Sequence, residues 1–238
     1  ASMYNFNLDY ENTTEVKQDT KILEEVNKYY QKLFVNNDVV KEYIHKRGIS
    51  EFSIEKFEIG YAPISSDTIN FLKSNHYNLN DAIDLGIIDN GTNGLYSRFI
   101  ERITFPIYSI TGKLVGFGGR TITGHNAKYV NSPQTKLFNK SRLLYGYHLA
   151  KEQIYKKNQI IVCEGYLDVI MLHQAGFNTA VATLGTALTT EHLPLLRRGE
   201  PKVILAYDGD KAGLAAAFKA SVMLSQSEFE GGVIIFAD

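Results

Sequence analysis

Cysteine is nearly missing from this 238-residue chain, which contains only one. A single cysteine excludes an internal disulfide and a cysteine-rich zinc site within this sequence, and it fits a reducing, cytoplasmic location. Cys163 lies in an apolar run just before Glu164, and we interpret it as a small buried core residue. The six histidines show no metal-ligand spacing, so we interpret them as structural or surface residues.

Long apolar runs are also missing. No stretch approaches the roughly 18 apolar residues that a membrane span requires. The first residues lack the basic-then-apolar pattern of a secretion signal. Because 44% of the residues are hydrophobic, the chain can still bury a real core. We therefore expect a soluble globular protein with no membrane partner, built as one large domain or two small ones.

The amino-terminal part reads as a polar tail followed by helices. Residues 1–20 are polar and lack apolar periodicity, which predicts a flexible tail. From residue 21 apolar side chains recur at helical spacing, so we predict a helix of about four turns. Asp38 is predicted to cap a second helix that Gly48 stops, and Ser50 precedes a predicted third helix.

The next part changes from helical to extended patterns. Residues 66–75 and 79–85 predict two short surface helices, and residues 90–94 form a turn cluster. Between residues 102 and 122, alternating apolar side chains flank Thr111-Gly112, which predicts a β-hairpin. Residues 128–131 are predicted to be extended. We therefore expect a mixed α+β subdomain over residues 21–148.

Acidic residues follow two apolar runs in the second half of the chain. Residues 159–163 precede Glu164, and residues 202–207 precede Asp208 and Asp210. Both runs have the length and β-branched content of buried parallel strands. Strands and helices alternate here, which predicts a mostly parallel sheet covered by helices on both faces. Because ligands bind at the carboxyl ends of such strands, the acids are expected to share one crevice.

Clustered carboxylates without nearby histidine or cysteine suit a hard cation such as Mg²⁺ or Mn²⁺, typically shared with substrate phosphates. The sequence thus indicates phosphoryl-transfer chemistry. Asp168 lies four residues after Glu164, so both can face one cavity if a helix begins at Gly165. Capping that helix is the alternative role of Asp168, and capping the following helix is that of Asp210.

Charge is unevenly distributed, although the whole chain carries a formal charge of −1. Residues 1–95 contain nine basic and fifteen acidic residues, and residues 149–238 contain eight and ten. Residues 96–148 contain eight basic residues and one acidic residue. A basic block beside an acidic crevice is typical of an enzyme that handles a polyanion.

Several ordered motifs carry a family resemblance. They are Arg98-Phe99-Ile100-Glu101-Arg102, Phe105-Pro106-Ile107, Gly116-Phe117-Gly118-Gly119-Arg120, Lys128-Tyr129-Val130-Asn131-Ser132-Pro133, Lys140-Ser141-Arg142-Leu143-Leu144-Tyr145-Gly146, Glu164-Gly165-Tyr166-Leu167-Asp168, Thr183-Leu184-Gly185-Thr186 and Asp208-Gly209-Asp210-Lys211-Ala212-Gly213. From about residue 21 onward the chain resembles the catalytic core of bacterial DnaG-type replicative primases, whose second part, here residues 149–238, is a Toprim domain.

The resemblance implies a DNA-directed RNA polymerase, a nucleotidyltransferase. Such an enzyme makes short RNA primers on single-stranded DNA from ribonucleoside triphosphates, using two or more Mg²⁺ or Mn²⁺ ions. It implies catalytic roles for Glu164, Asp208 and Asp210, and metal binding by these three together with Asp168. Candidate contacts to nucleic acid and triphosphate are Arg47, Arg98, Arg102, Arg120, Lys128, Tyr129, Asn131, Lys140 and Arg142. For Tyr129, base stacking and an ordinary half-buried strand position remain alternatives.

The resemblance also sets expectations about missing parts. In the family a further metal motif follows the position of Asp238, so we expect an incomplete Toprim subdomain. The zinc module and the module that contacts the replicative helicase are expected to lie outside this sequence.

Three alternatives stay open. Another Toprim enzyme, such as a topoisomerase or nuclease, would share the acids but not the Gly118-Gly119-Arg120 and Lys128-Tyr129 motifs. A haloacid-dehalogenase-type phosphatase would use a strand-terminal DxD motif, but at the start of its fold. A truncated fragment could bind nucleic acid without catalysing a reaction.

Overall fold

The computed structural model describes residues 13–124 and 126–236 of the chain. Within these ranges the chain forms a four-stranded antiparallel sheet, a four-stranded parallel sheet and a two-stranded hairpin. This is the expected α/β class. No helix in the described part of the chain is long and apolar enough to cross a lipid bilayer.

The elements follow one another in two groups. The first group consists of α1 (Thr13–Val35), α2 (Asp38–His45), α3 (Glu51–Lys56), β1 (Gly60–Ala62), α4 (Ser65–Ser74), α5 (Leu79–Asp84), β2 (Ile88–Gly91), β3 (Gly94–Ser97), β4 (Arg102–Tyr108), β5 (Leu114–Thr121) and β6 (Tyr129–Asn131). After a 3₁₀ turn at Lys140–Arg142 come α6 (Tyr147–Lys157), β7 (Gln159–Cys163), α7 (Tyr166–Gln174), β8 (Ala180–Ala182), a 3₁₀ turn at Thr190–His192, α8 (Leu193–Leu196), β9 (Lys202–Asp208), α9 (Lys211–Gln226) and β10 (Gly231–Phe236).

The first helix begins earlier than its apolar pattern indicates. Residues 13–20 of the predicted tail belong to α1, while residues 1–12 lie outside the described residues. Ile22 and Leu23 are buried, at the point where the helical periodicity of the sequence begins. The polar first turns of α1 carry no such pattern, so periodicity alone could not place the start of the helix.

The cap of α2 is Asn37 rather than Asp38. The Asn37 side chain accepts a hydrogen bond from the Val40 amide at 3.2 Å. Asp38 occupies the first turn, where a negative charge is favourable near the positive end of the helix dipole. Asparagine and aspartate are comparable caps, so the two adjacent candidates could not be ranked from composition. Ser50, which was predicted to precede the third helix, caps α3 by accepting from the Ser53 amide at 3.3 Å.

The antiparallel sheet has the order β1-β4-β5-β6. Strands β4 and β5 form the predicted hairpin, with Gly112 in the turn at φ 80°. In this register Ile103 pairs with Arg120, and Arg120 pairs with Tyr129 on β6. The predicted turn at residues 90–94 connects β2 and β3, whose four-residue strands were not predicted.

The parallel sheet has the order β10-β9-β7-β8, and all its neighbours run in the same direction. Alternate residues of β7 face opposite sides: Ile161 and Cys163 pack with residues of α7, while Ile160 and Val162 pack with residues of α6 and α9. Helices therefore cover both faces, as predicted. The edge strand β10 is exposed along its length.

The core continues from one sheet into the other. One buried cluster contains Phe105 of β4, Tyr166 of α7, and Tyr145, which lies before α6. The Tyr166 ring stacks on Phe105 with centroids 5.0 Å apart and meets the edge of Tyr145 at 4.7 Å. A side chain at Gly118 would place its Cβ 2.4 Å from the Tyr166 ring. Glycine is therefore required where β5 passes this ring.

Candidate active site

Glu164 and Asp208 lie together at the carboxyl ends of two paired strands. Strands β7 and β9 are adjacent and parallel, with Val162 opposite Leu205. The Asp208 amide donates a hydrogen bond to Glu164 Oε1 at 3.1 Å. The two acids therefore meet at one edge of the parallel sheet, the position where open α/β sheets bind ligands.

Gly213 allows this close approach. A Cβ at this position would lie 2.7 Å from Glu164 Oε1 and 2.3 Å from the Asp208 carbonyl oxygen. Gly213 is buried in the first turn of α9, directly beneath the two acids. Any larger residue would displace the backbone or the carboxylate, so the glycine belongs to the geometry of the site.

Asp168 has a structural contact and a charged environment at once. Its Oδ2 accepts a hydrogen bond from the Gly165 amide at 2.9 Å, which completes the amino-terminal cap of α7. Burial raises the pKa of Asp168, and the negative charges of Asp208 and Glu164 raise it further, while Arg120 opposes them. The carboxylate therefore caps the helix and also interacts electrostatically with the two acids at the strand ends.

Asp210 caps the following helix. Its Oδ1 accepts a hydrogen bond from the Gly213 amide at 2.7 Å. Asp210 is exposed and does not line the cavity described below. Asp168 and Asp210 therefore both make the helix-capping contact that the sequence left open as an alternative role.

A cavity of about 440 Å³ separates the acids from a basic surface. Its acidic and polar side comes from the ends of β7 and β9 and the start of α7. Its basic side comes from β5, β6 and the residues after α2. The residues that line it are Arg47, Arg120, Lys128, Tyr129, Asn131, Glu164, Gly165, Tyr166, Leu167, Asp168, Thr183, Gly185 and Asp208.

Arg120 is the most buried cation of the basic side, with 5% of its surface exposed. Its Nε donates to the Tyr43 hydroxyl at 2.6 Å, and its Nη1 donates to the Tyr129 hydroxyl. Its guanidinium also lies 5.0 Å from the centre of the Tyr129 ring. Burial raises the pKa of Tyr129, so its hydroxyl stays protonated beside this cation at neutral pH.

Asn131 is held by protein contacts at both ends of its amide. Its Oδ1 accepts from the Tyr166 hydroxyl, and its Nδ2 donates to the Leu184 carbonyl at 2.8 Å. The amide thus connects β6 with α7 and with the loop after β8. Neither Tyr43 nor Tyr166 was predicted as a site residue. Tyr166 was visible as part of the Glu164-Gly165-Tyr166 motif, and Tyr43 precedes Arg47 by one helical turn.

Four predicted basic residues do not line this cavity. Arg98 pairs with Asp89 at 2.6 Å across the β2–β3 hairpin. Arg102 is 4% exposed, burial lowers its pKa, and its Nη1 donates to the Lys128 carbonyl at 3.4 Å. Arg142 lies 3.8 Å from Glu191, and the Lys140 carbonyl contacts His192 Nε2 at 3.1 Å.

Two of the four predicted acids, Glu164 and Asp208, are brought together at the strand ends. In residues 13–124 and 126–236, no set of three or more histidine, cysteine, aspartate or glutamate side chains converges closely enough to hold a metal ion. Glu164 and Asp208 offer hard oxygen ligands, and burial together with their negative charges raises the pKa of Asp168. Mg²⁺ is commonly bound by one or two carboxylates plus substrate phosphates, so this donor set suits it.

Acidic strand ends that face a basic sheet are the arrangement expected of an α/β protein that processes nucleic acid. Comparison with known families agrees with this class. Residues 29–151 match the family described as DNA primase catalytic core, N-terminal domain, and residues 158–233 match the Toprim domain. The chain belongs to the DnaG-type primase catalytic core family.

Relatives and solved structures show the same similarity. The chain is 50% identical to a DNA primase of Helicobacter pylori over 241 residues, covering 99% of this chain and 43% of that protein. It matches a DnaG primase catalytic domain bound to single-stranded DNA with 35% identity and a TM-score of 0.85, covering 95% of this chain and 73% of the other. The RNA polymerase domain of Mycobacterium tuberculosis DnaG matches with 32% identity and a TM-score of 0.84, covering 96% and 77%. The chain thus spans less than half the length of the curated relative.

Proposed function

We propose that this chain is the catalytic core of a primase, which synthesises short RNA primers on single-stranded DNA from ribonucleoside triphosphates. The reaction is nucleotidyl transfer. One observation carries the proposal: Glu164 and Asp208, joined by a 3.1 Å hydrogen bond, face Arg47, Arg120 and Lys128 across one cavity. Phosphoryl-transfer catalysis requires two components: acidic side chains that bind a metal cation, and positively charged side chains that bind phosphate groups.

The carboxylates of Glu164 and Asp208 would hold divalent cations, Mg²⁺ or Mn²⁺, with Asp168 beside them. When bound, such ions would neutralise charge on the transferred phosphoryl group. The Asp208 amide fixes one Glu164 oxygen, so that carboxylate is oriented before any ligand arrives. Asp210 uses one oxygen for its cap and retains the other, so it stays in the proposed catalytic and metal-binding set.

The basic side would bind phosphate groups of template, primer and triphosphate. Arg120 and Arg47 can form directed, bidentate contacts, while Lys128 acts as an exposed point charge. Asn131 would act by holding Tyr166 and the loop after β8 in place. We propose that Arg98, Arg102, Lys140 and Arg142 contact the nucleic acid farther from the cavity. Tyr129 has 37% of its surface exposed, which leaves its ring available to a base.

The proposal extends to organisation and partners. We propose a division into two subdomains, residues 21–148 and residues 149–238. The family matches support this division, because the first match ends at residue 151 and the second begins at residue 158. Contact with a replicative helicase is proposed for the longer protein. The DNA-bound relative supports a single-stranded DNA template for this chain.

The test compares Asp208→Ala with Asp84→Ala, which removes an exposed acid at the end of α5. We expect Asp208→Ala to abolish RNA synthesis on a single-stranded template while DNA binding stays nearly as in the wild type. RNA products are measured by incorporation of labelled nucleotides, and binding by fluorescence anisotropy. Equal loss of both activities in Asp208→Ala would contradict the assigned role. A wild-type chain that binds DNA and makes no RNA would favour the alternative of a binding fragment.

A further inference from the structure

Tyr43 lies between two arginines of the cavity. It projects from α2, whose Val40 and Ile44 are fully buried in the core. The guanidinium of Arg47 lies 4.9 Å from the centre of the Tyr43 ring, and that of Arg120 lies 5.7 Å from it. The Tyr43 hydroxyl also accepts the hydrogen bond from Arg120 Nε at 2.6 Å. One ring therefore contacts both cations from a rigid helix.

Neither arginine has a carboxylate partner. No acid in the described ranges lies within ion-pair distance of Arg47 or Arg120. Arg120 is nevertheless 5% exposed; the Asp168 carboxylate acts on it electrostatically but forms no ion pair with it, and a buried cation that is not directly paired is unfavourable. Two cations beside one ring also repel each other. An anion placed between them would remove both costs, and both residues line the cavity.

We propose that Tyr43 is a positioning residue that holds Arg120 and Arg47 as a pair for one phosphate group. The pair is supplied by two distant parts of the chain, β5 and the segment after α2, so their spacing depends on a residue that contacts both. The Tyr43 hydroxyl fixes the direction of the Arg120 guanidinium, and its ring supports Arg47 by a cation–π contact. This inference rests on the proposed function, and the phosphate belongs either to the DNA backbone or to the triphosphate.

The experiment measures binding in two arms with the wild type, Tyr43→Phe, Arg120→Met and the double variant. The first arm uses fluorescence anisotropy with an oligothymidylate of about twelve nucleotides, within the span of known single-strand sites, over a series of salt concentrations. The second arm uses equilibrium dialysis with ATP. Tyr155→Phe is the control, because Tyr155 is 78% exposed on α6.

If Tyr43 positions Arg120, Tyr43→Phe weakens binding about fivefold, the effect of one lost hydrogen bond. In the DNA arm the plot of log affinity against log salt also becomes shallower, by up to about 0.7 for one phosphate contact. In the Arg120→Met background, Tyr43→Phe has no further effect, since Tyr43 acts through that arginine. A role in stability alone would not produce this coupling. The arm that responds identifies the source of the phosphate.

Several outcomes would overturn the inference. The inference is wrong if Tyr43→Phe binds both probes as tightly as the wild type. It is also wrong if the effects of Tyr43→Phe and Arg120→Met add up in the double variant. If Tyr43→Phe does not fold, judged by circular dichroism, Arg47→Met and Arg120→Met form the cycle instead. Independent, additive effects of these two would then refute a shared phosphate. A wild-type chain that binds DNA but makes no RNA contradicts the proposed function alone, and one that binds neither probe contradicts both.

Discussion

Asp168 combines two roles that the sequence presented as alternatives. Its capping contact with Gly165 is local and follows from its position in the first turn of α7. Its proximity to Asp208 depends on the pairing of β7 with β9, which brings residues 40 positions apart to one sheet edge. Sequence spacing could not decide between the two roles of Asp168, because its proximity to Asp208 arises only in the tertiary fold.

Replacing Asp168 with asparagine should stabilise the protein at neutral pH. Burial and neighbouring acids raise the pKa of Asp168 above its ordinary value of 3.8. The folded state therefore binds a proton more tightly than the unfolded state, and the free energy of unfolding falls as pH rises through the raised pKa. Asparagine keeps a cap acceptor and removes the charge. Thermal melts from about pH 4 to about pH 8 should show an advantage of Asp168→Asn that grows with pH and levels off once the pH exceeds the raised pKa.

The same variant should lose primer synthesis if Asp168 assists cation binding. Asp67→Asn, in the first turn of α4, serves as the control for removing an acid from a helix start. A destabilised Asp168→Asn protein at pH 7 would show that the carboxylate is net favourable in the fold, contrary to this expectation.

Tyr43 and Tyr166 illustrate what residue patterns cannot reveal. Each is an ordinary apolar position of its own helix, and each acquires its site role from a residue far away in the chain. Tyr43 meets Arg120 across 77 positions, and Tyr166 meets Asn131 across 35. The acids were more accessible to prediction because each directly follows a strand, so position within the element already indicates the sheet edge.

At the level of elements, buried strands and helices with strong periodicity were predicted well. The sequence pattern predicts a strand over residues 159–163 and a helix over residues 166–174, and β7 and α7 have these bounds. The short strands β2 and β3 were not predicted, since they carry few buried residues. The sequence pattern predicts a helix over residues 190–197, but α8 begins only at Leu193, because a 3₁₀ turn at Thr190–His192 precedes it. The DnaG-type family and the α/β class are confirmed.

Helix α7 is joined to the amino-terminal part by Gln174 at its last turn. The Gln174 Nε2 donates to the Gly48 carbonyl at 2.7 Å. Its Oε1 accepts from the Ser50 amide and from the Ser53 hydroxyl, each at 2.9 Å. These contacts span more than 120 positions of the chain. They fix the start of α3 against the helix that follows Glu164.

Gln174→Ala should therefore lower the free energy of unfolding by about 1 to 2 kcal/mol, the net value of the lost hydrogen bonds at a partly exposed site. Gln174→Glu keeps the acceptor and loses the donor, so its effect should be smaller. Urea unfolding followed by circular dichroism measures both, with Gln226→Ala at the end of α9 as control. Equal losses for the alanine and glutamate variants would mean that the acceptor contributes nothing.

At the scale of the whole molecule, one buried cluster includes residues of both proposed subdomains. Phe105 belongs to the antiparallel sheet and Tyr166 to the parallel half, and their rings stack at 5.0 Å. Separating the halves would expose this aromatic surface to water, so part of the core of each half depends on the other.

We therefore expect a single cooperative unfolding transition. Denaturant titrations followed by far-ultraviolet circular dichroism and by tyrosine fluorescence should give coincident midpoints. Replacing Tyr145 with leucine, which removes a ring from the shared cluster, should shift both midpoints together. Two separate transitions would show that the subdomains are energetically independent despite their common contacts.

The shared aromatic layer also constrains how related proteins can exchange segments during evolution. A recombination point near Asn158 would separate Tyr166 from Phe105 and Tyr145, which lie on the other side of it. A chimaera made there from two diverged relatives would combine rings that were never selected to fit each other. Gly118 would need to be inherited along with an aromatic residue of matching size at position 166. The two halves of the chain are therefore expected to have descended together.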